Sequence, residues 1–267
     1  MCGYFEVSRS GYYKAVGRTD KKLLNDQLIL SMVHDIRRHH PRIGGKKLYR
    51  LLKADLHHAG IKIGRDKFFE LLANKGMLVK RRRKYVCTTD SYHRFRVYRN
   101  LLKHQPLQKA HQGWVSDITY IRQGRDFRYL FLITDSFSRK IVGWSLSESL
   151  AIPGAISALK MAIKQCPDTE GVIHHSDRGI QYCSKGYTEL LKNAGIRISM
   201  TEENHCYENA TAERVNGILK QEYGLDETFA SASLLVKAVR EAIWSYNMER
   251  PHWSLNLATP EQIHQAA

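Results

Sequence analysis

Residues 114–147 read WVSDITYIRQGRDFRYLFLITDSFSRKIVGWSLS, and this stretch decides the fold. Apolar and polar residues alternate in WVSDITYI, and the apolar segments FRYLFLITD and KIVGWSLS follow after short polar turns. Alternation with a period of two is typical of β-strands, and short turns join consecutive strands into hairpins. The stretch therefore predicts three successive strands of one sheet.

Downstream of these strands, the pattern alternates between helix and strand. AIPGAISALKMAIKQC and SKGYTELLKNAG predict helices, whereas GVIHHSD and RISM predict short strands. Residues 207–223 and 231–248 predict two further helices. Hairpin strands followed by alternating helices and strands predict an α/β fold, in which a mixed sheet is flanked by helices.

Upstream of the sheet, the sequence predicts three helices, over residues 20–40, 46–60 and 64–76. We expect Asp66 to cap the third of them. Short helices joined by tight glycine-containing turns are typical of a helix-turn-helix DNA-binding unit, and equally of an ordinary small helical bundle. The pattern alone does not separate these two interpretations.

The charge of the chain is high and unevenly distributed. The formal net charge is +16 and the pI is about 9.7. The first 110 residues carry 26 Lys and Arg against 8 Asp and Glu, whereas the rest carry 16 against 18. A basic front half indicates binding to a polyanion, and nucleic acid is the commonest one. We predict a basic helical domain over residues 1–79, a basic linker over 80–107 and a sheet domain over 108–267.

The predicted linker contains the densest run of positive charge. Its sequence KRRRK includes Arg81, Arg82, Arg83 and Lys84, and further arginines alternate with aromatic residues after it. Basic side chains neutralise phosphates and aromatic rings stack on bases, so we predict that these four residues bind DNA. A solvated linker without a ligand is the alternative.

The remaining composition disfavours three classes of protein. The five cysteines are odd in number and none forms a C-x-x-C pair, which argues against a disulfide scaffold and a cysteine-based zinc site. No apolar run approaches the ~20 residues of a membrane span, and the first residues lack the apolar core of a signal peptide. We therefore expect a cytoplasmic protein with no membrane partner.

Three acids stand out by their positions. Asp117 lies inside the first predicted strand, Asp177 ends the strand GVIHHSD before a glycine turn, and Glu213 lies near the start of a helix. Acids are disfavoured in strands unless they face a ligand or solvent, and strand ends often carry functional side chains. Three carboxylates from separate elements suit a pair of Mg²⁺ ions in phosphodiester chemistry. For each acid taken alone, a surface charge is the alternative.

Four motifs, in order, resemble one family over nearly the whole chain. WVSDITYI, HHSDRGIQYCS, YENATAERVNGILKQE and YNMERPHWSLNLATP closely resemble the OrfB transposase of the insertion-sequence-3 family, which is related to retroviral integrases. Thirty-five residues separate Asp177 from Glu213, which is the spacing of the D,D-35-E signature of that family. Lys220 follows Glu213 by seven residues, where the family usually has Lys or Arg.

The resemblance implies an RNase H-like catalytic core and a DDE polynucleotidyl transferase. Asp117, Asp177 and Glu213 would bind two Mg²⁺ ions, for which Mn²⁺ would substitute. Lys220 and Asn209 would contact DNA, Asn209 from the rim of the active site. The reaction would be cleavage at the ends of an insertion sequence, followed by transfer of the freed 3′ hydroxyl to another strand. Glu208 and Arg214 depart from the usual family residues, which leaves the local substrate contacts open.

The resemblance also implies partners and a cellular location. The partners would be double-stranded DNA (terminal inverted repeats and target), OrfA or an OrfAB fusion, and further copies of the chain assembled on DNA. The location would be the bacterial cytoplasm, at the nucleoid. Two alternatives stay open: a non-catalytic or regulatory DNA-binding OrfB product, and an RNase H-like nuclease without strand transfer. We expect the C-terminal Y-N-x-x-R-P-H motif to pack the last helix rather than to act in catalysis.

Overall fold

The computed structural model describes residues 8–79, 96–103, 106–202 and 209–266. Backbone contacts divide the chain into two compact units, Met1–Arg81 and Arg82–Ala267. The described part of the first unit is helical, and the second unit contains the sheet. The finer domain boundaries at residues 79 and 107 stay predictions.

The first unit packs three helices around one apolar core. Helix α1 spans Arg9–His39, α2 spans Gly45–His58 and α3 spans Arg65–Asn74. The core residues are aliphatic or aromatic and include Ile29, Val33, Leu48, Leu52, Phe68 and Leu72. The three predicted helices are therefore present, and their shared core makes them one folding unit.

Two helix starts differ from the sequence prediction. Helix α1 begins well before residue 20, because the Ser8 hydroxyl accepts a hydrogen bond from the Gly11 N–H and caps the helix there. The prediction that Asp66 caps α3 is wrong, because Gly64 is the N-cap residue. Asp66 lies in the first turn and accepts a hydrogen bond from Arg65.

The second unit is built on a mixed six-stranded sheet in the order β3-β2-β1-β4-β5, with β6 pairing with β1. The strands span Gly113–Gln123 (β1), Asp126–Asp135 (β2), Ile141–Ser147 (β3), Ile173–Ser176 (β4), Arg197–Met200 (β5) and Thr228–Phe229 (β6). Strands β1 to β3 are antiparallel neighbours, whereas β4 is parallel to both β1 and β5. The predicted mixed sheet is confirmed.

Helices cover both faces of this sheet. They span Ile152–Gln165 (α4), Ile180–Cys183 (α5), Lys185–Asn193 (α6), Ala210–Tyr223 (α7), Ala232–Met248 (α8) and Pro260–Gln265 (α9), with a 3-10 turn at Trp253–Leu255. On β2, Phe131 and Ile133 belong to the core beneath α4 and α6, whereas Leu130 and Leu132 belong to the core beneath α7 and α8. Successive strand residues point to opposite faces, so one continuous apolar run serves both cores.

The sequence prediction omitted the short elements α5, β6 and α9. Helix α9 begins at a capping box, in which the Gln262 N–H donates to the Thr259 hydroxyl and the Thr259 N–H donates to the Gln262 side-chain oxygen. None of the described helices combines the length with the apolar character that a membrane crossing requires.

Candidate active site

The parallel pairing of β1 with β4 brings two of the three predicted acids together. Val115 lies opposite His175 in this pairing. Continuing this register by two residues aligns Asp117 on β1 with Asp177, which follows the last residue of β4, and the charge of Asp177 acts on the Asp117 carboxyl. Because strand side chains alternate between faces, residues two positions apart share a face. The sheet therefore directs both aspartates to the same side.

The Asp117 carboxyl lies in a desolvated, negatively charged setting. Burial raises its pKa to about 7, and the neighbouring negative charge of Asp177 acts in the same direction. Glu213 raises the same pKa by a smaller amount, whereas hydrogen bonds from the Ile118 N–H and the Asn216 amide lower it. A carboxyl whose nearest charged neighbours are other acids favours its protonated form until a cation is supplied.

Asp177 is held by the turn that follows β4. Its Oδ1 accepts a hydrogen bond of 3.0 Å from the Gly179 N–H. The intervening Arg178 donates from Nε to the Thr201 carbonyl oxygen at 2.8 Å, which joins the turn to the end of β5. These contacts fix the backbone on both sides of the carboxylate.

Glu213 and Lys220 lie on one helix, α7. Glu213 is in its first turn, and partial burial raises the pKa of its carboxyl. Two turns later, the Lys220 Nζ lies 4.1 Å from the centre of the Tyr120 ring on β1, a cation–π geometry. The seven-residue spacing places both side chains on one face of the helix.

Two asparagine amides, one in α7 and one at its N-cap, join this helix to β1 at Asp117 and at the residue before it. The Asn216 Nδ2 donates to Asp117 Oδ2 at 2.7 Å, and the Asn209 Nδ2 donates to the Ser116 carbonyl oxygen at 3.1 Å. The sequence analysis missed Asn216, although its position three residues after Glu213 places it on the same helix face. Asn209 is only 4% exposed, so its place in this conformation is inside the protein rather than on a DNA-contacting rim.

The carboxylate oxygens of the acids suit a hard divalent cation, but the described side chains do not form a complete set of ligands around one ion. Carboxylate oxygens are preferred ligands of Mg²⁺, and a cation would relieve the like-charge repulsion at Asp117. Among the described residues, however, no three His, Cys, Asp or Glu side chains lie close enough together to hold one ion. Of the two other acids, Asp177 raises the pKa of Asp117 more than Glu213 does.

A buried polar cluster underlies the strand that carries Asp117. The His174 Nε2 lies 2.6 Å from Ser116 Oγ and 2.9 Å from Tyr187 OH, and burial lowers the pKa of this histidine to about 3. His175 points the other way and its Nδ1 lies 2.8 Å from Ser199 Oγ. Both histidines are buried, and hydrogen bonds join them to Ser116, Tyr187 and Ser199.

Some predicted residues have no described structure. The DNA-binding candidates Arg81, Arg82, Arg83 and Lys84 lie outside the described residues, as does Cys206, one of the five cysteines. Of the remaining cysteines, Cys183 is buried beside Met200, and burial raises the pKa of its thiol to about 11.

The C-terminal motif, which we define as residues 246–252, attaches α8 to the sheet. The Asn247 side chain accepts from the Ile141 N–H at 2.9 Å and donates to the Ile141 carbonyl oxygen at 3.0 Å. The Tyr246 hydroxyl donates to the Arg139 carbonyl oxygen at 3.0 Å. These bonds satisfy backbone groups at the start of β3, so the expectation that this motif packs the last long helix agrees with its contacts.

The same motif holds the end of α7. Arg250, which is 2% exposed, donates to both carboxylate oxygens of Glu222 at 2.8 and 2.7 Å. Its third nitrogen lies 2.9 Å from the His252 ring. A forked guanidinium on a carboxylate is a strong and geometrically specific pair.

Comparison with known proteins identifies the family that this chain matches. Two family models, both described as integrase core domain, match residues 108–206 and 194–260. The chain is 34% identical over 275 residues to the "Insertion element IS600 uncharacterized 31 kDa protein" of Shigella sonnei, with all of both chains covered. It is 31% identical over 272 residues to "Transposase InsF for insertion sequence IS3A" of Escherichia coli K12, covering 98% of this chain and 92% of the relative.

A solved structure shares the fold. The simian T-cell lymphotropic virus intasome, determined in complex with a PP2A regulatory subunit, contains a chain that aligns with a TM-score of 0.51 and 19% identity. The alignment covers 84% of this chain and 75% of that chain. The similarity confirms the predicted integrase-like, RNase H-like architecture.

Proposed function

Because the chain belongs to the insertion-sequence-3 family of transposases and is a DDE polynucleotidyl transferase, we propose that it cleaves and joins DNA through Asp117, Asp177 and Glu213. The observation that carries this assignment is the aspartate pair. The two acids come from neighbouring parallel strands, Asp117 within β1 and Asp177 directly after β4, and Asp117 occupies a desolvated position beside the negative charge of Asp177. Like charges are brought together in proteins chiefly where a cation or a reaction uses them.

The proposed ligands are the three carboxylates, and the proposed ions are two Mg²⁺, with Mn²⁺ as a substitute. When bound, such ions activate the attacking oxygen and stabilise the leaving oxygen of a phosphodiester. Asp117 and Asp177 provide the rigid part of the site, because Asp117 lies in the paired strand β1 and the Asp177 carboxylate accepts a hydrogen bond from the turn that follows β4. Glu213 provides the third carboxylate and has to approach the aspartates more closely than in the present conformation.

Both proposed steps are phosphoryl transfers, so one site serves both. Water attacks the phosphodiester at the end of the element and releases a 3′ hydroxyl. That hydroxyl then attacks a phosphodiester of the target strand and displaces the target's own 3′ hydroxyl. No residue of the chain needs to form a covalent intermediate. The serines beside the aspartates support this, because Ser116 and Ser176 are 0% and 1% exposed and cannot reach a phosphate in this conformation.

DNA is the proposed substrate, in the form of terminal inverted repeats and a target duplex. Lys220 lies on the Glu213 face of α7 and is the proposed phosphate contact nearest the acids. Two further regions are proposed to bind DNA, since the excess positive charge of the chain lies before residue 111. They are helices α1 to α3 and the basic residues Arg81, Arg82, Arg83 and Lys84. For Asn209 we propose a positioning role in place of a DNA contact, because its side chain is buried against β1.

The assembly proposed for the active form contains more than this chain. OrfA or an OrfAB fusion would supply further DNA binding, and several copies would assemble on paired DNA ends. The reaction would take place in the bacterial cytoplasm, where the DNA is.

A labelled-DNA assay tests this function. The chain is incubated with duplexes that carry the ends of its own insertion element, with Mg²⁺ or Mn²⁺, beside the variant Asp177→Asn. We expect cleaved and joined products from the unchanged chain and a loss of about a thousandfold or more in the variant, because a metal ligand supports several kcal/mol of transition-state stabilisation and about 1.4 kcal/mol is tenfold in rate. Asp126→Asn, the same change at an exposed hairpin residue, is the control.

The outcomes separate the proposed function from its alternatives. Equal DNA binding by both proteins, with no product from either, would favour a non-catalytic DNA-binding protein. Cleavage without joined products would favour a nuclease.

A further inference from the structure

One of the hydrogen bonds to Asp117 comes from Asn216, a residue to which the proposed reaction assigns no role. Asn216 lies in the middle of α7, is 7% exposed, and donates to Asp117 Oδ2 at 2.7 Å. The other carboxylate oxygen, Oδ1, accepts from the Ile118 N–H at 2.9 Å. Each oxygen of Asp117 thus receives one hydrogen bond from a neutral donor.

The chemistry of the pair fixes the orientation of the Asn216 amide. Once Asp117 is ionised, as cation binding requires, it only accepts hydrogen bonds, so the NH₂ group of the amide faces it, as in the structure. The carbonyl oxygen Oδ1 then faces elsewhere. It is buried and has no hydrogen-bond partner among the described residues. The same is true of the Oδ1 of Asn209, the second asparagine that joins α7 to β1.

Packing alone does not account for an asparagine at this position. The buried neighbours of Asn216 on α7 are apolar: Ala212, Val215, Ile218 and Leu219. An apolar side chain would continue that surface, whereas a buried amide with an unused acceptor is unfavourable unless a ligand or water satisfies it. The hydrogen bond to Asp117, rather than packing, therefore accounts for an asparagine at this position.

We propose that Asn216 is a positioning residue that holds the Asp117 carboxylate in its metal-binding orientation and offers its carbonyl oxygen to a water molecule of the metal site. This inference rests on the proposed function. A carboxylate oxygen has two lone-pair directions, so one hydrogen bond at each oxygen sets the plane of the group and leaves the second direction for a cation. Partners that orient a ligand in this way tune metal affinity in many proteins.

The test measures Mn²⁺ binding to the full chain by calorimetry, together with thermal unfolding without metal. Two variants remove the amide and differ in packing: Asn216→Leu nearly fills the volume, whereas Asn216→Ala leaves a cavity. We expect the Mn²⁺ concentration at half-saturation to rise ten- to a hundredfold in both variants, the range typical of lost ligand-orienting contacts. Their metal-free unfolding temperatures should differ from each other. Asn193→Ala, at an exposed position of α6, is the control and should leave Mn²⁺ binding unchanged.

Each other result overturns the inference. Half-saturation within about twofold of the unchanged chain in either variant would contradict it, since an effect confined to the alanine variant would come from the cavity. Failure of the unchanged chain itself to bind Mn²⁺ would overturn the proposed function and this inference together. Normal binding by the unchanged chain and by both variants would overturn the positioning role alone.

Discussion

The acidic site and the C-terminal motif are both polar regions built on the same sheet, yet they are organised in opposite ways. In the C-terminal motif each principal polar group meets a complementary one: Arg250 meets Glu222, and Asn247 meets both backbone groups of Ile141. In the acidic site, Asp117 meets another acid, and the carbonyl oxygen of Asn216 has no partner among the described residues.

This difference indicates that the C-terminal motif has a structural role and the acidic site a functional one. A buried network in which donors meet acceptors stabilises the protein and specifies its packing. A site with like charges and unused acceptors destabilises the free protein, and such local conflicts are expected where a ligand completes the arrangement. Substitutions in the two regions should therefore change stability in opposite directions.

The largest effect should follow from breaking the buried ion pair of the C-terminal motif. Arg250→Met leaves Glu222 without the guanidinium that binds both its oxygens. Loss of one partner from a buried pair costs about 3–5 kcal/mol of unfolding free energy. We expect a fall of roughly 10 °C in the unfolding temperature, measured by calorimetry.

An exposed pair provides the control for that substitution. Lys237 and Glu241 lie one helical turn apart on α8 and are both well exposed. Lys237→Met should change stability by about 0.5 kcal/mol or less. If Arg250→Met were equally mild, the C-terminal motif would not be the structural attachment that its contacts indicate.

A smaller loss should follow from Asn247→Leu. This change removes two hydrogen bonds and leaves the N–H and carbonyl groups of Ile141 unpaired in a buried place. Unsatisfied buried groups cost about 1–3 kcal/mol, so we expect a net loss of about 2–3 kcal/mol in urea unfolding. An unchanged midpoint would mean that Ile141 finds other partners and that this half of the motif is dispensable.

A substitution in the acidic site should raise the free energy of unfolding rather than lower it, and by the smallest amount of the three. The folded chain raises the pKa of Asp117 to about 7 from 3.8, so ionisation of this carboxyl opposes folding. The opposition is complete above about pH 7 and disappears below about pH 4, where the carboxyl is protonated in both states. Asp117→Asn should therefore stabilise the metal-free protein by about 1–2 kcal/mol at pH 8, a value reduced to allow for solvent screening.

The pH dependence distinguishes this explanation from better packing. The gain should shrink steadily as the pH of the unfolding experiment falls from 7 to 4, and Asp126→Asn should show no such gain. A gain of equal size at pH 8 and pH 4 would contradict a charge-based cause, and a loss of stability at pH 8 would show that Asp117 is satisfied without metal.

Much of the fold was predictable because its signals are local. The alternation in residues 114–121 predicts β1, and its structural bounds, Gly113–Gln123, differ from the prediction by one and two residues. The segment RISM coincides with β5. The start of α1 was not predictable from apolar spacing, because its first two turns are exposed and Ser8 alone marks the beginning.

The site was predictable in part, for a related reason. Asp117 stands out because an acid is unusual inside a strand, and Asp177 because it follows one. Asn216 does not stand out, because an asparagine in a helix is ordinary in sequence and its meaning depends on a contact with a residue 99 positions away. Long-range pairs of this kind carry no local pattern.

The most direct test of the contrast between the two regions is to locate the cation. Crystals of the full chain grown with Mn²⁺ would be measured for anomalous scattering. We predict Mn²⁺ bound between Asp117 and Asp177, at about 2.1 Å from their oxygens, with Glu213 drawn toward it and the C-terminal motif unchanged. Mn²⁺ bound only at other acids, with the two aspartates unliganded at saturating metal, would contradict the account.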